Sequence, residues 1–341
     1  MINVFKPFRD FLKNRYAGNL QTRIIRCVGE QFMYGQRETL LRYTGLDKGN
    51  IFLAKLSHSG HTPLLDEGRV QLEFDWNGKP LLQAVWNEEN FNDASSRGIS
   101  NLVTIGATYL YSLANFGIDI HAVKENIEKI CTDWNWGAEL DRQKAFMQGR
   151  RVLILPKHSW EGDVTFNFGR RSKLLELQNH STSISFCLGY LDYLDPQKRL
   201  FYGAEESIEL VCAGLAFASI QHTPAPAREN FFQNLTEIFL KYDLILGEEY
   251  TSGLLYASCL GKQVGILSSE LGDSKSEKST WAEPNAAIRR SRIYREHYDW
   301  LNSGGYSKQV RFEKFYNELG ISSFRSKSEL LKLLPTMEVK W

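Results

Sequence analysis

Residues 242–267 read YDLILGEEYTSGLLYASCLGKQVGIL, and no other stretch says as much about the fold. Leu244–Leu246 is an apolar run that ends at Gly247, and the polar residues Glu248–Tyr250 follow. A helix then begins at Thr251 or Ser252 and stops at Gly261, a residue suited to a left-handed cap. Val264–Leu267 is apolar again. Strand, helix and strand in such close succession form the crossover unit of a parallel sheet. The helix start offers backbone N–H groups, two hydroxyls and the positive end of the helix dipole, which together make a seat for a phosphate. Threonine and serine also simply cap helices. The local residues leave both a phosphate seat and a plain cap open.

The same alternation runs outward from this segment. In the first half, strands are expected at Ile51–Leu56, Leu81–Trp86 and Leu102–Ile105, with helices at Gly35–Tyr43, Thr108–Phe116 and Ala122–Cys131. The second half opens with Arg151–Pro156 (RVLILP), the clearest strand, followed by Ser183–Leu188, Ile208–Val211, Leu244–Leu246 and Val264–Leu267. Helices are expected at Pro196–Tyr202, Glu229–Tyr242 and Leu254–Leu260. Short buried strands alternating with helices imply parallel sheets covered on both faces. A chain of 341 residues exceeds the length at which one core usually stops growing. Two Rossmann-like domains are therefore expected, residues 1–145 and 146–315, joined near Ala138–Gly149, with sheets facing a cleft. Residues 316–341 form a helical tail with a break at Gly320 and a Ser326–Glu329 capping box, placed to cross back onto the first domain.

Composition narrows the function classes. Lysine plus arginine (41) balance aspartate plus glutamate (40), which argues against a general nucleic-acid binder. No stretch approaches the apolar length of a membrane helix, and the N-terminus lacks a signal core, so a cytoplasmic location is expected. The five cysteines are scattered, with no CxxC pair, and three of them lie in apolar runs where a thiol behaves as a small hydrophobe. No GxGxxG turn follows any strand, which counts against a dinucleotide enzyme.

The segments RVLILPKHSWEGDVTFNF, SISFCLGYLDYLD, IELVCAG, ENFFQNLTEIFLKYDLILGEEYTSGLLYASCLGKQV and FYNELG…SKSELLKLL resemble, in this order, a family of bacterial surface-polysaccharide glycosyltransferases of the GT-B fold. LSHSGHTP, VWNEEN and LVTIGATYLY resemble that family in the first half. The relatives are transferases of CMP-activated ulosonic acids: Kdo transferases and, more distantly, bacterial sialyltransferases. The resemblance covers most of the chain through short motifs. It implies an α/β, GT-B-like enzyme with an acceptor-side first domain and a nucleotide-sugar second domain. It further implies a CMP-sugar donor, a glycan or lipid-linked glycan acceptor, and neighbouring glycan-assembly enzymes. Transfer by a UDP- or GDP-sugar enzyme, and a non-catalytic glycan-binding or scaffold role, are the rivals.

Such a transfer needs a carboxylate near the anomeric carbon and N–H or cationic donors on the departing phosphate. No resident cofactor or metal is called for, and no Asp-x-Asp pair is present to hold one. Asp192, read as lying in a loop after a strand, is the first choice for the carboxylate and matches an acidic position in the relatives. Asp195 is its neighbour, and also a natural cap for a helix starting at Pro196. His158, Glu161 and Asp163 share the loop after the strongest strand, as catalytic donors or as plain surface polar residues. Thr251, Ser252 and Gly253, with Glu249, are expected around the nucleotide. His222 joins them by resemblance to a His-Pro pair of sialyltransferases, although Thr223 interrupts that pair here and Leu215 stands where the relatives place a histidine. On the acceptor side, His58 and His61 follow a strand, Glu88 follows another beside Asn87 and Glu89, and Asp66-Glu67-Gly68 is either an acidic motif of the sialyltransferases or an ordinary turn. The basic, aromatic stretches Phe5–Tyr16 and Arg289–Tyr298 suit peripheral contact with an anionic inner membrane, or are simply solvated helix faces.

Overall fold

A computed structural model describes residues 20–57, 75, 77–96, 98–156, 178–203, 208–214, 230–248, 250–267 and 299–339. In chain order the first elements are α1 (Leu20–Cys27), a 3-10 turn (Gly29–Gly35), α2 (Gln36–Thr44), β1 (Asn50–Phe52), β2 (Ala54–Leu56), β3 (Leu82–Val85), α3 (Glu88–Ser96), β4 (Leu102–Thr104) and α4 (Thr108–Asn115). There follow α5 (Ile120–Thr132), α6 (Leu140–Met147), β5 (Arg151–Leu155), β6 (Ser183–Cys187), α7 (Tyr190–Leu194), α8 (Pro196–Phe201) and β7 (Glu209–Val211). The rest are α9 (Phe231–Leu240), β8 (Leu244–Gly247), α10 (Ser252–Cys259), β9 (Gln263–Ile266), α11 (Lys308–Glu318), α12 (Lys327–Leu333) and β10 (Thr336–Glu338). The protein is a mixed α/β chain with parallel sheets, compatible with a Rossmann-like fold.

The chain divides into two compact units. The first holds the described residues up to Gly117 and from Asn317 onward; the second holds those from Ile118 to Gly214 and from Asn230 to Tyr316. The change of unit at Gly117–Ile118 lies before the junction expected near Ala138–Gly149. That stretch forms α6, with Gln143 and Met147 buried, and Met147 joins the core around β5. In α5, Val123, Ile127, Ile130 and Cys131 make one buried stripe at helical spacing. The Asn126 amide of the same helix donates to the Cys259 carbonyl of α10 at 2.9 Å.

In the first unit, β2, β3 and β4 form a parallel sheet in that order. The run Ile51–Leu56, expected as one strand, is two. The chain breaks at Leu53, whose N–H goes to the Pro335 carbonyl at 2.7 Å. β1 then pairs antiparallel with β10. The side-chain amide of Gln31 takes the place of a strand neighbour at the break, accepting from Phe52 N at 3.0 Å and donating to Phe52 O at 3.2 Å. Leu330 and Leu334 of the tail lie in the same core as Leu40, Phe52, Leu56 and Tyr111. Fully burying one such leucine is worth roughly 1.5–3 kcal/mol. The capping box of α12 forms as expected, with Ser326 Oγ accepting from Glu329 N and the Glu329 carboxylate accepting from Ser326 N.

The carboxyl edge of this sheet is filled by the tail. Ala107 N donates to Leu319 O at 2.9 Å, and Gly106 N donates to Trp86 O at 3.0 Å. The Arg325 guanidinium reaches the Thr104 carbonyl and hydroxyl at 3.3 and 3.2 Å. Gly106 and Gly320, at φ +74° and +60°, pass each other so closely that a Cβ on Gly320 would lie 2.6 Å from the Trp86 carbonyl carbon.

In the second unit the order is β7-β6-β5-β8-β9, all parallel. Val152, Leu153 and Ile154 of β5 and the whole of β8 are buried, as expected of central strands covered on both faces. β9 ends the strand order among the described residues, and side chains take the outward bonds of Ile266. Ile266 N donates to Asn302 Oδ1 at 3.1 Å, while Trp136 Nε1 and Gln143 Nε2 reach Ile266 O at 3.3 and 3.2 Å.

Candidate functional site

The chain leaves β5 toward β6 on one side and leaves β8 toward β9 on the other. The two neighbours β5 and β8 therefore flank the point where strand order reverses, beyond whose carboxyl ends ligands of open α/β sheets bind. Four bonds and contacts fix what stands there. Glu248 N donates to Leu155 O at 3.1 Å, tying the turn after β8 to the end of β5, and Leu267 N donates to Gly247 O at 2.8 Å. Thr251 is the N-cap of α10, its hydroxyl accepting from Gly253 N at 3.4 Å. Gly253 lies against Leu155: a Cβ there would fall 2.7 Å from Leu155 Cδ1. The absence of a side chain at Gly253 thus lets the positive end of α10 approach the last residue of β5. Thr251, Ser252 and Gly253 are half-buried. Glu248, which the sequence analysis did not single out, is a buried carboxyl in the same turn; its only signal in the sequence is its place directly after a strand.

Asp192 lies beyond the end of β6. It was expected in a loop but sits in the first turn of the short helix α7. The helix forms because Gly189 leads the chain off the strand in extended conformation and Tyr193 N returns to the Gly189 carbonyl at 2.9 Å. The Asp192 side chain is 4% exposed and pairs with Lys198 Nζ at 2.7 Å. Asp195 takes the capping role expected of it, accepting from Gln197 N and Lys198 N at the start of α8, with Pro196 in the first turn. That cap fixes the start of the helix that carries Lys198. The arrangement can hold one buried carboxylate and one partly exposed ammonium at the carboxyl edge of the sheet.

Beside them, Cys187 ends β6 and Cys212 follows β7, both half-buried. Burial pushes the Cys187 thiol up to about 12, and the neighbouring Cys212 adds to the effect. Cys212 is raised mainly by burial, with the Asp192 carboxylate adding to it.

In the first unit, Glu88 lies exposed in the first turn of α3. Asn87 serves the fold instead, accepting from Asn90 N at 2.8 Å and donating to Glu318 O at 3.4 Å. His58, His61, Asp66, Glu67, His158, Glu161, Asp163, His222 and Glu249 lie outside the described residues, as do the stretches 5–16 and 289–298. The structure thus places Thr251, Ser252 and Gly253 together at the strand reversal and Asp192 after β6 on the same sheet edge.

The chain matches no family model, no curated protein and no solved structure. Its site stands on its own residues. Among the described residues, no group of three or more His, Cys, Asp or Glu side chains is placed to hold a metal ion, and no helix is long and apolar enough to cross a membrane.

Proposed function

We propose that the chain is a GT-B-type glycosyltransferase that moves a ulosonic acid such as Kdo from its CMP donor to a bacterial polysaccharide or glycolipid, with the donor phosphate seated on the opening amides of α10. The observation that carries this is the contact of Gly253 with Leu155, which puts a capped helix N-terminus at the strand reversal of a five-stranded parallel sheet. Backbone N–H groups and the helix dipole favour an anion there, and a phosphate is the leaving group such a transfer must stabilise. The choice of CMP and of an ulosonic acid rests on the resemblance of the segments around Arg151, Ser183 and Glu229. In this reading Asp192 is the carboxylate near the anomeric carbon, and an acceptor hydroxyl takes the place of the Lys198 ammonium that pairs with it at 2.7 Å.

Isothermal titration against CMP, UDP and GDP tests the donor. CMP alone should bind, and Thr251→Ala should weaken it, because the replaced hydroxyl helps order the first turn. Preference for UDP or GDP would transfer the reading to another donor, and no binding of any of the three would end it. Hydrolysis of CMP-Kdo by wild type and Asp192→Asn, with folding checked by circular dichroism, tests the carboxylate. Absence of turnover in both with glycan binding retained would identify a scaffold instead.

A further inference from the structure

The backbone of Lys198 is fixed before its side chain is. Asp195 caps α8, accepting from Gln197 N at 2.9 Å and from Lys198 N at 3.4 Å, and Tyr202 N returns to the Lys198 carbonyl at 3.0 Å. On this helix the neighbours Gln197 and Arg199 are exposed, and the Arg199 guanidinium lies over the Tyr193 ring at 5.4 Å. Lys198, between them, turns inward to Asp192 Oδ1 at 2.7 Å. Its side chain is 22% exposed against 4% for Asp192, so the ammonium is the accessible member of the pair. An ammonium carries three N–H donors. Asp192 takes one of them, and no other described residue takes the rest. The transfer proposed for this sheet edge sets a charge problem here. A ulosonic acid carries its own carboxylate on the anomeric carbon, the atom that Asp192 has to approach. Two carboxylates brought to one carbon in a partly buried place repel each other strongly. A cation shared between them removes that repulsion, whereas a donor with a neutral sugar makes no such demand.

We propose that Lys198 is the specificity-determining residue for the sugar: its ammonium binds the donor's carboxylate and so selects sugars that carry one on the anomeric carbon. The inference rests on the CMP-sugar donor proposed for this site. When an acceptor hydroxyl takes the ammonium's place at Asp192, the sugar carboxylate is the anion to which the ammonium moves, so Lys198 has an anionic partner before and after the donor arrives. A charge-assisted hydrogen bond of this kind favours a carboxylate over its neutral carboxamide by about tenfold or more.

Isothermal titration of the full chain with three ligands decides it: CMP, CMP-Kdo, and the CMP-Kdo analogue whose carboxylate is a carboxamide. Wild type should bind CMP-Kdo about tenfold or more tighter than the analogue. Lys198→Gln should bind the two alike while holding CMP as wild type does, and Lys198→Arg should keep most of the preference. Removing the ammonium alone leaves a buried carboxylate without this partner and can unfold the chain. The same comparison is therefore made between Asp192→Asn and the double variant Asp192→Asn, Lys198→Gln, which buries no charge there; only the single variant should prefer the carboxylate. A preference that survives the loss of Lys198, or a wild type that binds CMP yet treats the two sugar donors alike, would overturn the assignment and leave the CMP donor standing. Equal loss of CMP and CMP-Kdo in a folded Lys198→Gln would make Lys198 a structural residue instead. A wild type that binds no CMP refutes the donor itself, and the assignment with it.

Discussion

Gly320→Ala tests the tightest backbone approach in the first unit. A Cβ at Gly320 falls 2.6 Å from the Trp86 carbonyl carbon and 3.1 Å from Gly106 Cα, and the residue sits at φ +60°. Placing alanine in the left-handed region costs about 1 kcal/mol relative to glycine. The obstruction is backbone, which cannot rotate aside as a side chain would, so the usual overpacking cost of about 1–3 kcal/mol applies. Displacing the Trp86 carbonyl also loosens its bond from Gly106 N, now 3.0 Å, and a buried donor left unsatisfied costs about 1–3 kcal/mol. The total is about 3–7 kcal/mol. Gly117→Ala is the control: Gly117 has φ +79° with nothing within 4 Å of its would-be Cβ, so it should lose only the conformational part, about 1 kcal/mol. Both glycines belong to the first unit, so urea titration followed by circular dichroism reads the same transition for each. If the two variants lose stability equally, within about 0.5 kcal/mol, the close approach is not there and the tail does not seat on β3 and β4 as described.

Gly265→Ala should cost about 2–4 kcal/mol by the same logic in the second unit, because its Cβ would lie 2.5 Å from Trp136 Cδ1 and displace an indole that bonds Asn302 Oδ1 at 3.1 Å; a thermal melt unchanged from wild type would refute it. Ser326→Ala removes the cap of α12 and should cost about 1 kcal/mol, read as a lower urea midpoint. Arg151 beside Asp243, with two hydrogen bonds at 2.8 and 3.1 Å, lowers the Asp243 carboxyl to about 2 from its ordinary value near 4. A depressed folded-state pKa gives stability that is present above the unfolded value and lost as pH falls. The advantage of wild type over Asp243→Asn should therefore be full above about pH 4 and vanish toward pH 2. The pair is partly exposed, so added salt should shrink it.

The sequence made the second unit readable where burial is two-sided. The runs RVLIL, SISFC, LILG and QVGI have no polar interruption long enough to suggest another structure, and all form strands. The cap at Thr251 and the Ser326–Glu329 box were legible because their chemistry is local. What stayed hidden depends on distant partners. The split of Ile51–Leu56 is decided by Gln31 and Pro335, neither adjacent in sequence. The strand Thr336–Glu338 has no apolar alternation of its own and exists because β1 offers it a ladder. Helix α3, EENFNDASS, buries only Asn90 and Ala94, so its period is too faint to read. The burial of Asp192 could not be seen because Lys198, its partner, lies on the next helix and reads as a surface lysine. Of the candidate site, the helix start at Thr251 was legible, and the contact that sets it at the strand reversal was not, since it joins Leu155 to Gly253 across two strands.

The two sheets treat their carboxyl edges differently, and that difference bears on where a phosphate can bind. In the first unit the helix after β4 opens at Ala107, and the Leu319 carbonyl already accepts the Ala107 N–H. A carbonyl oxygen stands where an anion's oxygen would stand, backed by the buried pair Gly106 and Gly320. To bind there, a phosphate must lift a packed segment that also carries the Arg325 bonds to Thr104, at a cost of several kcal/mol. In the second unit, α10 opens against an apolar side chain, Leu155, and among the described residues no backbone carbonyl from another segment is bonded to its opening amides. Calorimetry with CMP should therefore return one site per chain, and Gly253→Leu, which drives a side chain into Leu155, should abolish it. Two sites, or a single site that survives in Gly253→Leu, would mean that the anion is held elsewhere than at the strand reversal of the five-stranded sheet.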